Sequence, residues 1–358
     1  MTTTGVEFHA LTVASVEPLT EDSVAVTFEV PDGLRETFRY RSGQHVTVRR
    51  LIDGVDVRRS YSICANANRG RLRVGIKRLP GGAFSTWATT GLAAGDVIEV
   101  TPPSGDFTIE ADGGAAVHYG AIVAGSGITP VLSLLSTTLE AEPRSRWTVV
   151  YGNQAARTVM FLDELEGLKD KYPARLQIVH VLSREDPGLD LFAGRIDPDK
   201  LEALFASVVD ADSIDRWFLC GPFEMVTGAR RLLEDRGVAP TSIKDELFFA
   251  GPPTNAPPPP PEDEPGTVAL TVILDGRASE VRMRPETSVL DAAMSVRSEL
   301  PYSCKGGMCA TCKAKVIEGG VSMDKNYALV SSDLDQGFVL TCQSHPTSER
   351  LVVDYDQR

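Results

Sequence analysis

Over the first hundred residues, hydrophobic and polar positions alternate in short runs: Leu11–Val16, Val24–Val30, His45–Arg49, Leu72–Lys77 and Val97–Val100. Gly, Pro and Asp turns separate them, and a period of two over four to eight residues is the mark of a half-buried strand. Many such strands in succession predict an antiparallel β-barrel, with one helix inside it over Phe84–Thr90. Near residue 115 the rhythm changes. From His118 to Phe249 the apolar runs Ala121–Ala124, Thr148–Tyr151, Leu176–Leu182 and Trp217–Cys220 are each followed by helical periodicity. Strand then helix, repeated, predicts a doubly wound α/β domain on a parallel sheet.

The stretch GPPTNAPPPPPEDEPG, Gly251 to Gly266, interrupts the pattern. Consecutive prolines and acids cannot pack a core and favour an extended, semi-rigid tether. Beyond it, Val268–Leu274 and Ala278–Met283 read as a hairpin about Asp275-Gly276, and the Ser288 segment as a short capped helix. Strands at Lys313–Ile317, Phe338–Thr341 and Leu351–Asp354 complete a small α+β module of the β-grasp kind. The expected division is residues 1–112 for the barrel, 113–250 for the α/β domain, 251–265 for the linker and 266–358 for the last module.

Composition changes this picture little. The 358 residues are 42% hydrophobic and 24% charged, ordinary for a soluble multidomain protein. No run approaches bilayer-spanning length, and the N-terminus lacks the basic-then-apolar order of a secretory signal, so a cytoplasmic protein with no membrane partner is expected. The net charge of −13 argues against nucleic acid as a partner. From Glu262 onward there are 15 acidic and 10 basic residues. The last module is therefore only mildly acidic.

Cysteine spacing changes it a great deal. Cys304, Cys309 and Cys312 stand in PYSCKGGMCATC, and Cys342 follows 30 positions later. This C-x4-C-x2-C…C order is the ligand pattern of a plant-type [2Fe–2S] cluster. Structural zinc uses two short knuckles, and only Cys309 and Cys312 form one. Disulfides need an oxidising compartment, for which nothing in the chain speaks. Gly306 and Gly307 let the loop fold back and aim N–H groups at sulfur. Cys64 and Cys220 sit in apolar runs and read as buried small hydrophobes.

Other motifs lie at predicted strand ends. Arg59-Ser60-Tyr61-Ser62 closes a barrel strand. Gly82-Ala83-Phe84-Ser85 opens a short helix whose N–H groups suit a pyrophosphate. Gly125-Ser126-Gly127-Ile128-Thr129-Pro130 follows the first strand of the parallel sheet, and Ser183-Arg184 and Cys220-Gly221-Pro222 close the third and fourth. All of the parallel-sheet motifs fall at carboxyl ends of strands, where open α/β sheets bind ligands. The five histidines are scattered without metal spacing, and no carboxylate pair or nucleophile motif stands out.

Together these motifs resemble the ferredoxin–NADP reductase superfamily, and the whole chain resembles the reductase components of bacterial multicomponent oxygenases. LPYSCKGGMCATCKAKV, NYAL, VLTCQSHP and VVDYD, with FRYRSGQH and RRSYSIC, are most similar to the phenylacetyl-CoA epoxidase reductase family; 3-ketosteroid 9α-hydroxylase reductases come next. The resemblance implies FAD, with Arg59 on its phosphate, Tyr61 packed on its ring and Ser62 near N5. It implies that Ser62, Thr129 and Glu246 form the reacting environment, and that Gly125, Gly127, Ile128, Pro130, Cys220, Gly221, Pro222 and Phe248 help hold the nucleotides. Ser183 and Arg184 would meet the adenosine ribose. A serine and a guanidinium there suit the 2′-phosphate of NADPH, while Glu185 and Asp186 leave NADH open. The implied partner is a multi-subunit diiron oxygenase, with the reductase itself a monomer. A flavin and cluster sensor without turnover is the reading of another class.

Overall fold

The computed structural model describes residues 7–248, 260–261, 264–297, 300–302 and 304–357. Most of the expected linker, 251–265, lies outside them. Residues 9–57 and 61–248 belong to one compact unit; residues from 260 onward, with 7–8 and 58–60, belong to a second.

Six antiparallel strands come first in the chain: β1 (His9–Thr20), β2 (Ser23–Glu29), β3 (His45–Ile52), β4 (Val55–Ser62), β5 (Arg73–Lys77) and β6 (Val97–Val100). Their order is β4-β3-β6-β1-β2-β5. An Ile63–Val74 bridge and the Cys64 N–H to the Arg73 carbonyl at 2.9 Å join the two ends, so the sheet closes on itself. The alternation noted above turns Leu11, Val13, Val26, Val46, Val48, Val74, Ile76 and Val100 inward. Helix α1 (Ala83–Thr90) plugs one side through Phe84 and Ala88.

Next come β7 (His118–Ala124), α2 (Ile128–Ala141), β8 (Arg146–Asn153), α3 (Leu162–Lys171), β9 (Leu176–Leu182), α4 (Pro198–Phe205), β10 (Arg216–Gly221), α5 (Phe223–Asp235) and β11 (Ile243–Leu247). All five strands are parallel in the order β11-β10-β7-β8-β9, so the order reverses direction at β7. β7 begins three residues earlier than its apolar run suggests. Its polar first residue is held by partners instead: His118 Nε2 lies 2.9 Å from Thr148 Oγ1 and Nδ1 lies 3.0 Å from Ser213 Oγ. Under the sheet, Trp147 stacks on Tyr119 with centroids 4.9 Å apart, and its Nε1–H donates to Thr138 Oγ1 at 2.7 Å. Replacing this fully buried indole by alanine removes the stack and the bond that Thr138 Oγ1 accepts, and leaves a large cavity, although that hydroxyl still donates to the Leu134 carbonyl at 2.9 Å. Trp147→Ala is expected to lower unfolding free energy by ~3–5 kcal/mol, measured by urea denaturation.

The barrel and the parallel sheet share one unit and several bonds. Lys244 Nζ donates to the Asp106 and Thr108 carbonyls at 2.9 and 2.8 Å. Ser133 Oγ donates to the Ala65 carbonyl at 2.7 Å and Asn66 Nδ2 to the Ser136 carbonyl at 2.9 Å. Gly75 has no side chain because a Cβ there would stand 2.7 Å from Thr129 Cγ2 and 2.9 Å from Phe161 Cζ.

The second unit holds β12 (Val268–Leu274), β13 (Arg277–Met283), α6 (Val289–Ala293), β14 (Lys313–Glu318), β15 (Val321–Met323), α7 (Ser331–Asp335), β16 (Phe338–Leu340), β17 (Ser344–Pro346) and β18 (Arg350–Asp354). The main sheet runs β13-β12-β18-β14-β16, with β12 and β18 parallel and the other pairs antiparallel. The hairpin turn has both Asp275 (φ 53°) and Gly276 (φ 67°) in the left-handed region, the type I′ geometry that Asp-Gly favours. Ser288 caps α6 by accepting the Asp291 N–H at 3.1 Å. Its hydrophobic core, centred on Leu270, Val272, Leu290, Leu340 and Tyr355, is its own. Among the described residues, no helix is long and apolar enough to cross a membrane.

Candidate functional site

The thiols of the second unit meet two by two. Cys304 lies beside Cys309 and Cys312 beside Cys342, each near enough to shift its neighbour's thiol, and Cys309 also acts on Cys312. Cys312 and Cys342 are buried; Cys304 and Cys309 are half-buried. Among the described residues, no three His, Cys, Asp or Glu side chains converge as they would around a single ion. Two pairs of thiols suit a two-iron core better than one tetrahedral zinc.

The loop between the thiols is shaped for sulfur. Lys305 (φ 50°), Gly307 (φ 80°) and Ala310 (φ 52°) all turn left-handed, which rolls successive N–H groups toward Cys304. The Gly306 N–H reaches Cys304 Sγ at 3.3 Å, and the Met308 and Cys309 N–H groups also face it. The neighbouring Cys309 thiol together with these donors lowers the Cys304 thiol to about 6. Thr311 Oγ1 donates to Cys309 Sγ at 3.1 Å. At Gly307 a Cβ would meet the Lys325 carbonyl at 2.9 Å, so glycine is required for space as well as for φ. Donors aimed at sulfur fit a cluster-bound thiolate set.

In the first unit, α1, α2, α3 and α5 begin without a side-chain cap, and the first two of these start at the glycine motifs. α1 starts after Gly82, whose missing Cβ leaves room for Ser85 Oγ at 2.5 Å; that hydroxyl accepts the Leu79 N–H at 3.1 Å and donates to the Gly82 carbonyl at 3.3 Å. The first-turn N–H groups of Ala83 and Phe84 have no partner within the helix, so an anion can take them. Tyr61 lies 5.7 Å from Phe84 between centroids, on the face of β4 that alternation also gives to Arg59, while Ser60 shares the face of Ser62.

α2 starts after the turn Gly125–Gly127, again uncapped. Pro130 stands in its first turn, where no N–H is needed. Ile128 and Thr129 are buried; Thr129 Oγ1 donates to the Ser126 carbonyl at 2.9 Å. A Cβ on Gly127 would lie 2.2 Å from the Cys220 carbonyl oxygen, so this turn and the Cys220-Gly221-Pro222 turn are in backbone contact. Cys220 is fully buried, and burial pushes its thiol well up. Ser183 and Arg184 close β9 by donating their N–H groups to the Asn153 and Gln154 carbonyls at 2.9 and 2.8 Å. The Glu185 carboxylate accepts the Ala156 N–H at 2.8 Å. Phe248, half-buried, packs against the core of the first unit.

The three residues expected in the reacting environment come together only in part. Ser62 Oγ donates to Glu246 Oε2 at 3.1 Å, across 184 residues of sequence. Thr129 belongs to the α2 turn, where its hydroxyl has the helical partner already given. Two further polar residues stand out: Asn153, which closes the second parallel strand as the other motifs close theirs, and His45, to which no sequence motif assigns a role. Asn153 is buried at the end of β8, and neither amide atom has a partner in hydrogen-bond geometry. His45 is buried on β3 with Nδ1 3.7 Å from Glu246 Oε1 and Nε2 3.4 Å from Ser104 Oγ. Its only signal was its place after Gly43-Gln44 at a strand start.

Burial acts on this pair in opposite senses. It raises the Glu246 carboxyl to about 7, a rise that the Ser62 hydrogen bond moderates. It lowers the His45 imidazole to about 4, which Asp106 partly offsets. Stability from Glu246 is therefore full below its ordinary 4.5 and lost as pH rises to about 7. Stability from His45 is full above its ordinary 6.5 and lost as pH falls to about 4. The two slopes largely cancel in between. Glu246→Gln removes one of them, so the flavin-depleted variant should gain on the order of 2–3 kcal/mol, relative to wild type, between about pH 4.5 and 6.5. Urea denaturation at stepped pH reads this directly.

Comparison with known proteins bears on what these sites serve. Models of three families match in chain order: the oxidoreductase FAD-binding domain over residues 10–109, the oxidoreductase NAD-binding domain over 121–231, and the 2Fe-2S iron-sulfur cluster binding domain over 272–347. The chain is 42% identical over 98% of its length, and 98% of the relative's, to a subunit of 1,2-phenylacetyl-CoA epoxidase from Escherichia coli K12. The chain belongs to the family of that subunit. A ferredoxin reductase component of 3-ketosteroid-9-alpha-monooxygenase from Rhodococcus rhodochrous is 32% identical, with 96% of each chain covered. Among solved structures, phthalate dioxygenase reductase matches with a TM-score of 0.64 at 23% identity, covering 97% of this chain and 98% of the other, which shows a shared fold. Members of the family are NAD(P)H-dependent oxidoreductases, and this chain carries their flavin, nicotinamide and [2Fe–2S] domains in the same order.

Proposed function

We propose that this protein is the reductase of a phenylacetyl-CoA epoxidase system, drawing electrons from NADPH or NADH and delivering them singly to a separate, multi-subunit diiron oxygenase component in the cytoplasm. Identity of 42% to the phenylacetyl-CoA epoxidase relative over nearly the full chain, against 32% to the ketosteroid monooxygenase component, carries this choice of partner. The reductase is read as a monomer.

Bound flavin supplies the chemistry that neither nicotinamide nor cluster can: it takes two electrons as hydride and gives them up one at a time. The protein holds and orients. The open N-terminus of α1 and Arg59 take flavin phosphate, and Tyr61 packs on the ring. Ser62 and Glu246 face its reacting edge, with Thr129 beside them. The uncapped α2 turn, the Cys220–Pro222 turn, Ser183, Arg184 and Phe248 receive the nicotinamide nucleotide. The unpartnered amide of Asn153, at the same edge of the sheet, is satisfied when that nucleotide is present. Cys304, Cys309, Cys312 and Cys342 hold the cluster, with the Gly306, Met308 and Cys309 N–H groups stabilising thiolate charge.

Anaerobic titration of the purified protein with NADPH and with NADH, followed by visible spectroscopy, tests this reading. Loss of the flavin bands and then of the cluster bands is the expected result, followed by turnover when the epoxidase oxygenase component is added. A colourless protein with one zinc per chain, or flavin and cluster reduction with no turnover by that component, would overturn it.

A further inference from the structure

Oxidising one nicotinamide donor while electrons leave singly has a fixed balance: NAD(P)H gives NAD(P)+, two electrons and one proton. The electrons leave through the cluster, which carries no proton. Each turnover therefore deposits a proton at the reacting edge, and a group there must hold it and release it to water. Resting on the function proposed above, the inner pair for that proton is Ser62 and Glu246, joined at 3.1 Å through Oε2. The other carboxyl oxygen, Oε1, faces His45.

Several observations make His45 more than filling. Its Nδ1 is buried without a hydrogen-bond partner and points to Oε1 across 3.7 Å, a gap that a small side-chain rotation closes. The ring is clamped: His45 exchanges backbone bonds with Ser104 at 2.9 Å in both directions, and a Cβ on Gly105 would stand 2.8 Å from Nδ1. The other charged or titratable groups around the pair are otherwise engaged. Lys244 donates to the Asp106 and Thr108 carbonyls, Asp245 is paired with Arg230, and Cys220, beside Glu246 in the next strand, is fully buried as a neutral thiol. Asp106 faces the imidazole and not the carboxyl. Among the described residues, His45 and Ser62 are the polar side chains placed to steer Glu246.

We propose that His45 is a positioning residue for Glu246: its neutral imidazole holds Oε1 while Ser62 holds Oε2, fixing the orientation of the carboxyl and how readily it gives up a proton. Burial favours this uncharged arrangement, carboxylic acid beside neutral ring, at rest. Losing the ring removes the one polar neighbour of Oε1, so the carboxylate becomes harder to form.

The test uses the flavin- and cluster-loaded full chain. Infrared titration of the Glu246 carboxyl band, assigned by its loss in Glu246→Gln, reads proton affinity without turnover. His45→Phe is expected to move that titration upward by roughly one pH unit, and His45→Gln, which keeps an N–H donor in place, by less than about half of that. The pH profile of flavin-to-cluster electron transfer should move the same way while KM for the donor stays within about twofold, since neither change touches the nucleotide. A Glu246 titration unmoved in a His45→Phe protein with full flavin content overturns the proposal. So does an equal displacement in both variants, which marks a packing defect. Absence of flavin reduction by either nicotinamide defeats the function proposed above instead, and leaves the carboxyl titration readable.

Discussion

Cys342→Ser is expected to abolish electron delivery beyond the flavin while leaving donor oxidation intact. Cys342 lies just after β16, buried, beside Cys312. Its loss leaves one thiol where an iron needs two, and the nearest other thiols, Cys304 and Cys309, are already matched to each other. Loss of an outer-sphere partner of a metal ligand costs 10–100-fold in affinity or activity, so removing a ligand outright should cost more than roughly 100-fold in cluster retention. Reduction of a direct flavin oxidant such as ferricyanide should stay within about twofold of wild type, because the flavin-side unit has hydrophobic cores of its own. Iron analysis, electron paramagnetic resonance of the reduced protein and parallel ferricyanide and epoxidase assays decide it. Two irons per chain with full epoxidase-coupled turnover in Cys342→Ser would remove the four-thiol assignment.

That separation of effects follows a division already visible in the chain. Alternating runs place β2, β5 and β6 within a residue, while β1 and β3 run three or four residues past their runs and β4 has no run of its own. Asp275-Gly276 and Ser288 specify a turn and a cap through local chemistry, and both occur as expected. What escaped is either short or distant. β15 and β17 are three residues each, and α7 is five, too few to display a period. The start of β7 is polar and stabilised by Thr148 and Ser213, so no apolar run announces it.

The site divides along the same lines. The cysteine loop is legible because its ligands are close in sequence and its chemistry is narrow. Contacts that cross from barrel to sheet are not, since only the folded topology brings β3, β4 and β11 together. Thus His45 looks like one of five scattered histidines until it is seen beside Glu246. Lys244 carries no signal in the sequence. In the fold it latches the 106–108 segment through two carbonyls, and burial lowers its amine.

Gly127→Ala should be nearly as damaging as the loss of a thiol, by a different route. The added Cβ would lie 2.2 Å from the Cys220 oxygen, 2.6 Å from its carbonyl carbon and 3.1 Å from the Gly221 nitrogen. All three are main-chain atoms of β10, paired on both sides in the parallel sheet, and cannot swing aside as a side chain would. The α2 turn must move instead, by about 1 Å or more. Overpacking of this kind costs ~1–3 kcal/mol of stability. Misplacement by about 1 Å of a loop that orients the hydride donor costs roughly 100-fold in rate. Flavin should stay bound, since α1 and β4 are untouched, so the loss should fall on kcat/KM for NADPH or NADH. Gly33→Ala is the control, with open space within 4 Å of its added carbon and no left-handed backbone. Stopped-flow flavin reduction separates the cases, and an unchanged rate in Gly127→Ala would mean that the contact between the two turns is not what aligns the nicotinamide.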